Sequence, residues 1–204
     1  MENNYIYSRV MAEIDLDAVK ENVCNIRKGL KDGTKICAVI KADGYGHGAV
    51  PIAKKLKDTV DFFAVATIDE ALNLRLHNVK LPILILGYIR PENTITAIRN
   101  DIRMTVFDME TALKIAEYAK DIGKPAKVHI KIDTGMSRIG FPVSEQSVDT
   151  IKKICGSDWI EAEGIFTHLY NADSDDLTSA KAQVSAFKGI CARLEDAGAA
   201  FDIR

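Results

Sequence analysis

The sequence predicts an α/β protein built on a parallel sheet, and three observations carry that prediction. Short β-rich runs alternate six times with longer segments of helical period, and a seventh run begins at the end. The runs are almost continuously apolar, as in "PILILG", which suits strands covered on both faces. Capping residues and glycines stand where the helical segments should start and stop.

The elements follow in order. "RVMAEID" (9–15) is strand-like and runs directly into the helical "LDAVKENVCNIRKGL". "KICAVIK" (35–41) precedes "GAVPIAKKLKD", and "DFFAVAT" (61–67) precedes "IDEALNLRLHN", where Ala71, Leu72, Leu74 and Leu76 predict a partly buried face. "LPILILG" (81–87) leads to "PENTITAIRN", "RMTVFD" (103–108) to "METALKIAEYAKDIG", and "AKVHIKID" (126–133) to "SEQSVDTIKKIC". The sixth unit pairs "AEGIFTH" (162–168) with "LTSAKAQVSAFKGICARLEDAG", and "AFDIR" opens a seventh. Asp17, Asp108 and Ser144 are candidate N-caps, and Gly29, Gly123 and Gly198 candidate C′ glycines. Pattern alone leaves an open doubly wound sheet and a barrel both standing. A closed barrel of eight units takes roughly 250 residues, so a barrel here would be about two strands short.

Composition narrows the function classes. A formal charge of −2 and a pI of 6.1 give no electrostatic reason for nucleic acid or an anionic membrane as partner. The start "MENNYIYSRV" does not read as a secretory signal, and no apolar run reaches the roughly 18 residues of a spanning helix. Cys24, Cys37, Cys155 and Cys191 form no CxxC pair, so free thiols in a cytoplasmic protein are expected. His47, His77, His129 and His168 have no metal-ligand spacing, and "ADSDD" reads as a capped, solvated helix start.

In parallel α/β folds the chemistry gathers where strands end. The first unit brings Lys41, Asp43, Tyr45 and His47 to that edge, the second Thr67 and the third Tyr88. The fifth brings Lys131, Asp133, Thr134 and Arg138, and the sixth Thr167, His168 and Tyr170. Lys41 ends an apolar strand, where loss of hydration lowers an amine's pKa and suits it to bond a carbonyl; a solvated strand-end lysine is the plainer reading. The glycines of "DGYGHG" admit a ligand close to the backbone or simply make a tight turn, and neither GxxxxGK nor GxGxxG is present. Arg138, in "DTGMSRIG", suits a carboxylate or phenolate ligand, or a surface ion pair. His168 suits stacking, proton transfer or a local backbone hydrogen bond.

Three of these segments carry a resemblance. "AVIKADGYGHGAVPIAKKL" resembles the cofactor-lysine motif of the alanine racemase family, written AVVKANAYGHG, with Asp43 and Gly44 standing where Asn and Ala are common. "VHIKIDTGMSRIGF" and "EGIFTHLYNADSDD" resemble the family's second and third signatures, and "RVMAEIDLDAVKENV" its opening; the match is collinear from about residue 9 to 204. The resemblance implies a parallel (β/α) barrel of the TIM type, incomplete at the C-terminus, with six to seven β/α units. Residues 1–15 would form an N-terminal strand segment pairing outside the barrel, and 16–204 the barrel domain.

It also implies pyridoxal 5′-phosphate as cofactor, interconversion of L- and D-alanine, and supply of D-alanine for peptidoglycan. The assembly would be homo-oligomeric, a homodimer in the intact enzyme. By resemblance, Lys41 bonds the cofactor and is the base for D-alanine, and Tyr45 binds the phosphate. Arg138 binds the cofactor's phenolic oxygen and the substrate carboxylate, and His168 packs on the pyridine ring. Lys131 is a candidate for carbamylation that braces Arg138. The opposite-face tyrosine base, a C-terminal β domain, the Ser-containing phosphate loop, the arginine at the pyridine nitrogen and the last barrel strand are expected beyond residue 204. The 204 residues alone are therefore expected to racemise weakly or not at all. A serine racemase of the same family, a non-catalytic cofactor-binding barrel and a cofactor-free Schiff-base lyase are the competing readings.

Overall fold

Seven parallel strands form one sheet in the computed structural model, which describes residues 10–204. The expected strand over 9–15 begins at Arg9, outside the described residues, and residues 10–15 form no strand. They lead instead into helix α1 (Leu16–Lys28), whose N-cap is Asp15 rather than Asp17. Asp15 Oδ1 accepts the amide hydrogens of Asp17 and Ala18, while the Asp17 carboxylate pairs with Lys55.

The strands are β1 (Cys37–Val39), β2 (Phe62–Val65), β3 (Ile83–Ile85), β4 (Ile102–Val106), β5 (Ala126–Asp133), the two-residue β6 (Phe141–Pro142) and β7 (Ile160–Phe166). Between them run α2 (Lys41–Tyr45), α3 (Ala49–Leu56), α4 (Ile68–Leu76), α5 (Thr94–Arg99), α6 (Met109–Asp121) and α7 (Glu145–Cys155); α8 (Thr178–Asp196) follows β7. Asp108 and Ser144 cap α6 and α7 as expected, through hydrogen bonds from the amides of Thr111 and Ser147. Gly123 and Gly198 take positive φ just past their helices, whereas Gly29 keeps a right-handed conformation. On α4, Ala71 and Leu74 are fully buried, but Leu76 is 80% exposed, since the helix ends at that turn and points it away from the sheet.

Strand order decides between the two candidate architectures. Each strand pairs with its predecessor from β1 through β5, and β7 follows β5 with β6 as a short offshoot. A doubly wound sheet reverses its order partway. An unreversed order with crossovers of one hand keeps the helices on one face, so the other face becomes the inside of a barrel wall. Ile203 bridges Gly164 in parallel, which is the seventh wall strand beginning. Among the described residues no strand joins Ile203 to β1, and the barrel is not closed.

The two-residue side-chain period sorts each strand into two sets. Phe63, Val65, Ile83, Ile85, Ile102, Met104, Val106, Val128, Ile130 and Ile132 pack with the helices in one apolar core. The alternate positions, including Phe62, Ala64, Leu84, Arg103, Thr105, His129 and Lys131, face the inside. That inner face is unusually polar. Arg103, 4% exposed, donates to Glu163 at 2.9 and 3.3 Å and to Asp101 at 2.8 Å, and His129 Nε2 stands 3.2 Å from Glu163. The His129 ring lies edge-on to Phe62 and Phe166, and it fills the space a Cβ on Gly164 would need. The His129 hydrogen bond and the Arg103 guanidinium, acting against burial, hold the Glu163 carboxyl down to about 2.

Because that carboxyl is depressed in the folded chain, its contribution is complete above its ordinary value of 4.5 and is lost as pH falls towards about 2. Glu163→Gln is expected to destabilise the chain by roughly 3 kcal/mol at neutral pH, because it leaves a buried guanidinium short of charge. Urea unfolding should also show a smaller loss of stability between pH 4.5 and 2 in the variant than in the unaltered chain.

Candidate active site

Lys41 opens the site. The expected strand over 35–41 ends at Val39, and Lys41 begins α2, a turn of inverted hand. Ala42, Asp43, Gly44, Tyr45 and Gly46 all take positive φ, between 50° and 82°. L-residues resist this conformation by about 1–2 kcal/mol each, so the turn requires external anchors. Glu70 Oε1 accepts the Ala42 amide at 2.8 Å, and Asp43 Oδ1 accepts the Ala49 amide at 2.8 Å at the start of α3. His47 Nδ1 lies 3.2 and 3.1 Å from the carbonyls of Gly44 and Tyr45, so its imidazole braces the turn. Lys41 Nζ stands 6.0 Å from the centre of the Tyr45 ring, which is exposed.

The second segment follows β5. Lys131, 3% exposed, donates to the Ile132 carbonyl at 2.9 Å and lies 5.4 Å from the Phe166 ring. Burial, reinforced by Arg138, pushes its amine below the usual lysine range, although Asp133 opposes this. The lysine stripped of water is therefore Lys131; Lys41, expected in that role, is only half-buried. Burial alone would raise the Asp133 carboxyl, but the amides of Gly135 and Ser137, at 2.9 and 3.0 Å, help hold it low. The loop then closes through Gly140 at φ +135°, where a Cβ would lie 2.5 Å from the Asp133 nitrogen. Arg138 is carried outward on this loop and is exposed.

The third segment brings His168, two residues past the end of β7 and exposed. Desolvation, then Arg138, Lys131 and Lys41, push its imidazole below the usual histidine value. Arg138, Lys131 and Lys41 thus act together on His168, and Arg138 also acts on Lys131, across a single rim. A cavity of about 540 Å³ runs along the inner face beneath, with Thr167 and His168 at its upper end and Val39, Phe62, Leu84 and His129 among its walls. Lys41 and Arg138 do not line it. Tyr88 and Tyr170, also at strand ends, are exposed.

Two residues that hold the rim together escape a motif reading. Gln183 on α8 is 3% exposed; its amide nitrogen donates to Thr134 Oγ1 at 3.1 Å and to the His168 carbonyl at 3.0 Å, and its oxygen accepts the Tyr170 amide at 3.2 Å. Thr134 and Thr167 hydroxyls meet at 2.8 Å beside it. Its signal in the sequence is a polar residue on the stripe of Ala180, Phe187, Ile190 and Leu194. The other is Glu70, legible as Thr67-x-x-Glu70, a capping box.

Replacing Arg138 by Gln removes a positive charge facing His168, so the imidazole should titrate at higher pH than in the unaltered chain, read by NMR of the ring protons. Gln183→Leu leaves three polar groups of two loops without this partner. It should cost about 1–3 kcal/mol in denaturant unfolding and speed amide exchange at Tyr170.

The family profile described as "Alanine racemase, N-terminal domain" matches residues 14–204. An alanine racemase of Methanococcus maripaludis is 44% identical over 190 residues, covering 93% of this chain and 51% of the relative. One from Desulforamulus reducens is 41% identical over 196 residues, covering 96% and 53%. A solved alanine racemase of Clostridium difficile 630, in complex with cycloserine, superposes with a TM-score of 0.93 at 45% identity, covering 97% of this chain and 55% of that one. Its barrel architecture is that of the wall described above. The chain spans about half the length of the curated relatives it matches. With the profile covering nearly all of the chain and the barrel shared throughout, the chain belongs to the alanine racemase family, matching its N-terminal domain.

Proposed function

We propose that this chain is the cofactor-holding barrel of a pyridoxal 5′-phosphate-dependent amino-acid racemase that interconverts L- and D-alanine. The observation that carries the reading is the convergence of an accessible amine, a guanidinium and an imidazole disfavoured from protonation on one rim of a chain whose formal charge is −2. Such a donor set fits an aldehyde bearing a phosphate and a phenolate, because both anions meet positive charge and the aldehyde meets a primary amine. When bound, the cofactor supplies an electron sink that makes the Cα proton of an amino acid removable.

The residues divide the work. Lys41 Nζ would hold the cofactor at its aldehyde carbon and, once displaced there by the substrate's amine, would take or return the Cα proton on the D-alanine face. Tyr45, at the exposed lip of the inverted turn, binds phosphate. Arg138 orients the phenolic oxygen and the substrate carboxylate through paired N–H donors. His168 packs on the ring and, being held neutral, does not compete with Arg138 for negative charge. Lys131 is suited to carbamylation, because a buried amine with a lowered pKa is nucleophilic toward carbon dioxide; the resulting anion would attract Arg138 where the ammonium repels it.

Inversion needs a second base on the opposite face. We assign that base to a C-terminal β domain acting across a homodimer interface. Supply of D-alanine for peptidoglycan in the cytoplasm completes the reading; no helix of the described residues is long and apolar enough to cross a membrane.

Borohydride reduction in the presence of pyridoxal 5′-phosphate should fix the cofactor to Lys41, identified by peptide mass, and Lys41→Ala should abolish the labelled peptide. Equal retention of cofactor by Lys41→Ala would overturn the assignment.

A further inference from the structure

We infer that Glu70 is the positioning residue for Lys41, an inference that rests on the reading of Lys41 as the cofactor-binding amine. Glu70 touches no reacting atom. Its carboxylate instead joins three pieces of backbone. Oε1 accepts the Ala42 amide at 2.8 Å, and Oε2 accepts those of Ala66 at 2.7 Å and Thr67 at 3.3 Å. Its own amide donates to Thr67 Oγ1 at 3.3 Å, which closes the capping box of α4.

A capping box needs only the second carboxylate oxygen. The first is spent on Ala42, 28 residues away in sequence and immediately after Lys41. That peptide begins the run of positive φ, and its orientation sets the direction in which the Lys41 side chain leaves the backbone. Asp43 secures the far end of the same turn to α3. Without Glu70 the entry to the turn loses its only side-chain anchor among the described residues, and Ala42 is free to relax toward right-handed backbone. The start of α4 is a favourable place for such a carboxylate, since the helix dipole stabilises negative charge there. Glu70 therefore acts as a rigid bridge from the α4 N-terminus to the nucleophile's backbone.

The test must separate positioning from capping. Glu70→Gln keeps the size of the side chain and one acceptor, but it cannot accept on both sides. Thr67→Ala weakens the α4 cap and leaves the Ala42 hydrogen bond in place. Rates of cofactor attachment to Lys41, followed by rapid borohydride quench and peptide mass, are expected to fall about tenfold in Glu70→Gln, as for an attacking group held off its productive line. They should be unchanged in Thr67→Ala, even though that variant unfolds at lower urea. Wild-type attachment rates in Glu70→Gln, or equal slowing in Thr67→Ala, would overturn the inference.

A second readout does not depend on the cofactor. Amide exchange at Ala42 and order parameters at Lys41, measured on the free chain, should report loss of protection and greater motion in Glu70→Gln only. If the unaltered chain attached no cofactor, the proposed function would fall while this readout still decided Glu70: unchanged exchange and order would reject the positioning role, and their loss would support it.

Discussion

The inverted turn after β1 is the constraint on which the site depends. Three residues with side chains, Ala42, Asp43 and Tyr45, sit in left-handed backbone, at about 1–2 kcal/mol each. Two carboxylates offset that cost with charge-assisted hydrogen bonds to backbone amides, each worth about 1.5–3 kcal/mol. Glycines at 44, 46 and 48 supply the rest of the freedom, and Gly44 also admits Ile52 and the start of α3 where a Cβ would lie 2.9 Å from the Ile52 side chain. Lys41 is thus presented by backbone that would not hold its shape alone, and its direction is a property of β2, α3 and α4 together.

The inner face of the wall divides its charges by height. Lower down, Arg103 is paired with Glu163 and Asp101, and His129 lies within hydrogen-bond distance of Glu163, so the buried guanidinium is not left alone. At the rim the balance is deliberately uneven. The cations Lys41, Lys131 and Arg138 act together on His168, while the carboxylates nearby are taken up by backbone amides: Asp133 by Gly135 and Ser137, Asp43 by Ala49, and Glu70 by Ala42, Ala66 and Thr67. An excess of positive charge over a half-open cavity is an attractive environment for an anionic ligand.

Much of this was legible in the chain. Alternating apolar runs and helical segments located the six units, because secondary-structure period is a local property. Asp108 and Ser144 were readable as caps for the same reason. The motif around Lys41 marked a site, and the segments with Arg138 and His168 marked its other walls. Where local reading failed, a neighbour distant in sequence had intervened. β1 stops short of Lys41 because the turn inverts, and that turn is anchored by Glu70, 28 residues from Ala42.

The sequence by itself determined the β/α rhythm, the covered strands, the family and the residue types at the strand ends, all of which depend on neighbours within a few positions. Only the tertiary structure decided that the sheet runs in unreversed order around a barrel interior, and that Lys131 rather than Lys41 is the dehydrated amine. It alone joined Glu70 to Ala42, and Gln183 to the loops of Thr134 and His168. Strand order, hydration and electrostatic field are sums over groups brought together from across the chain, and no local pattern contains them.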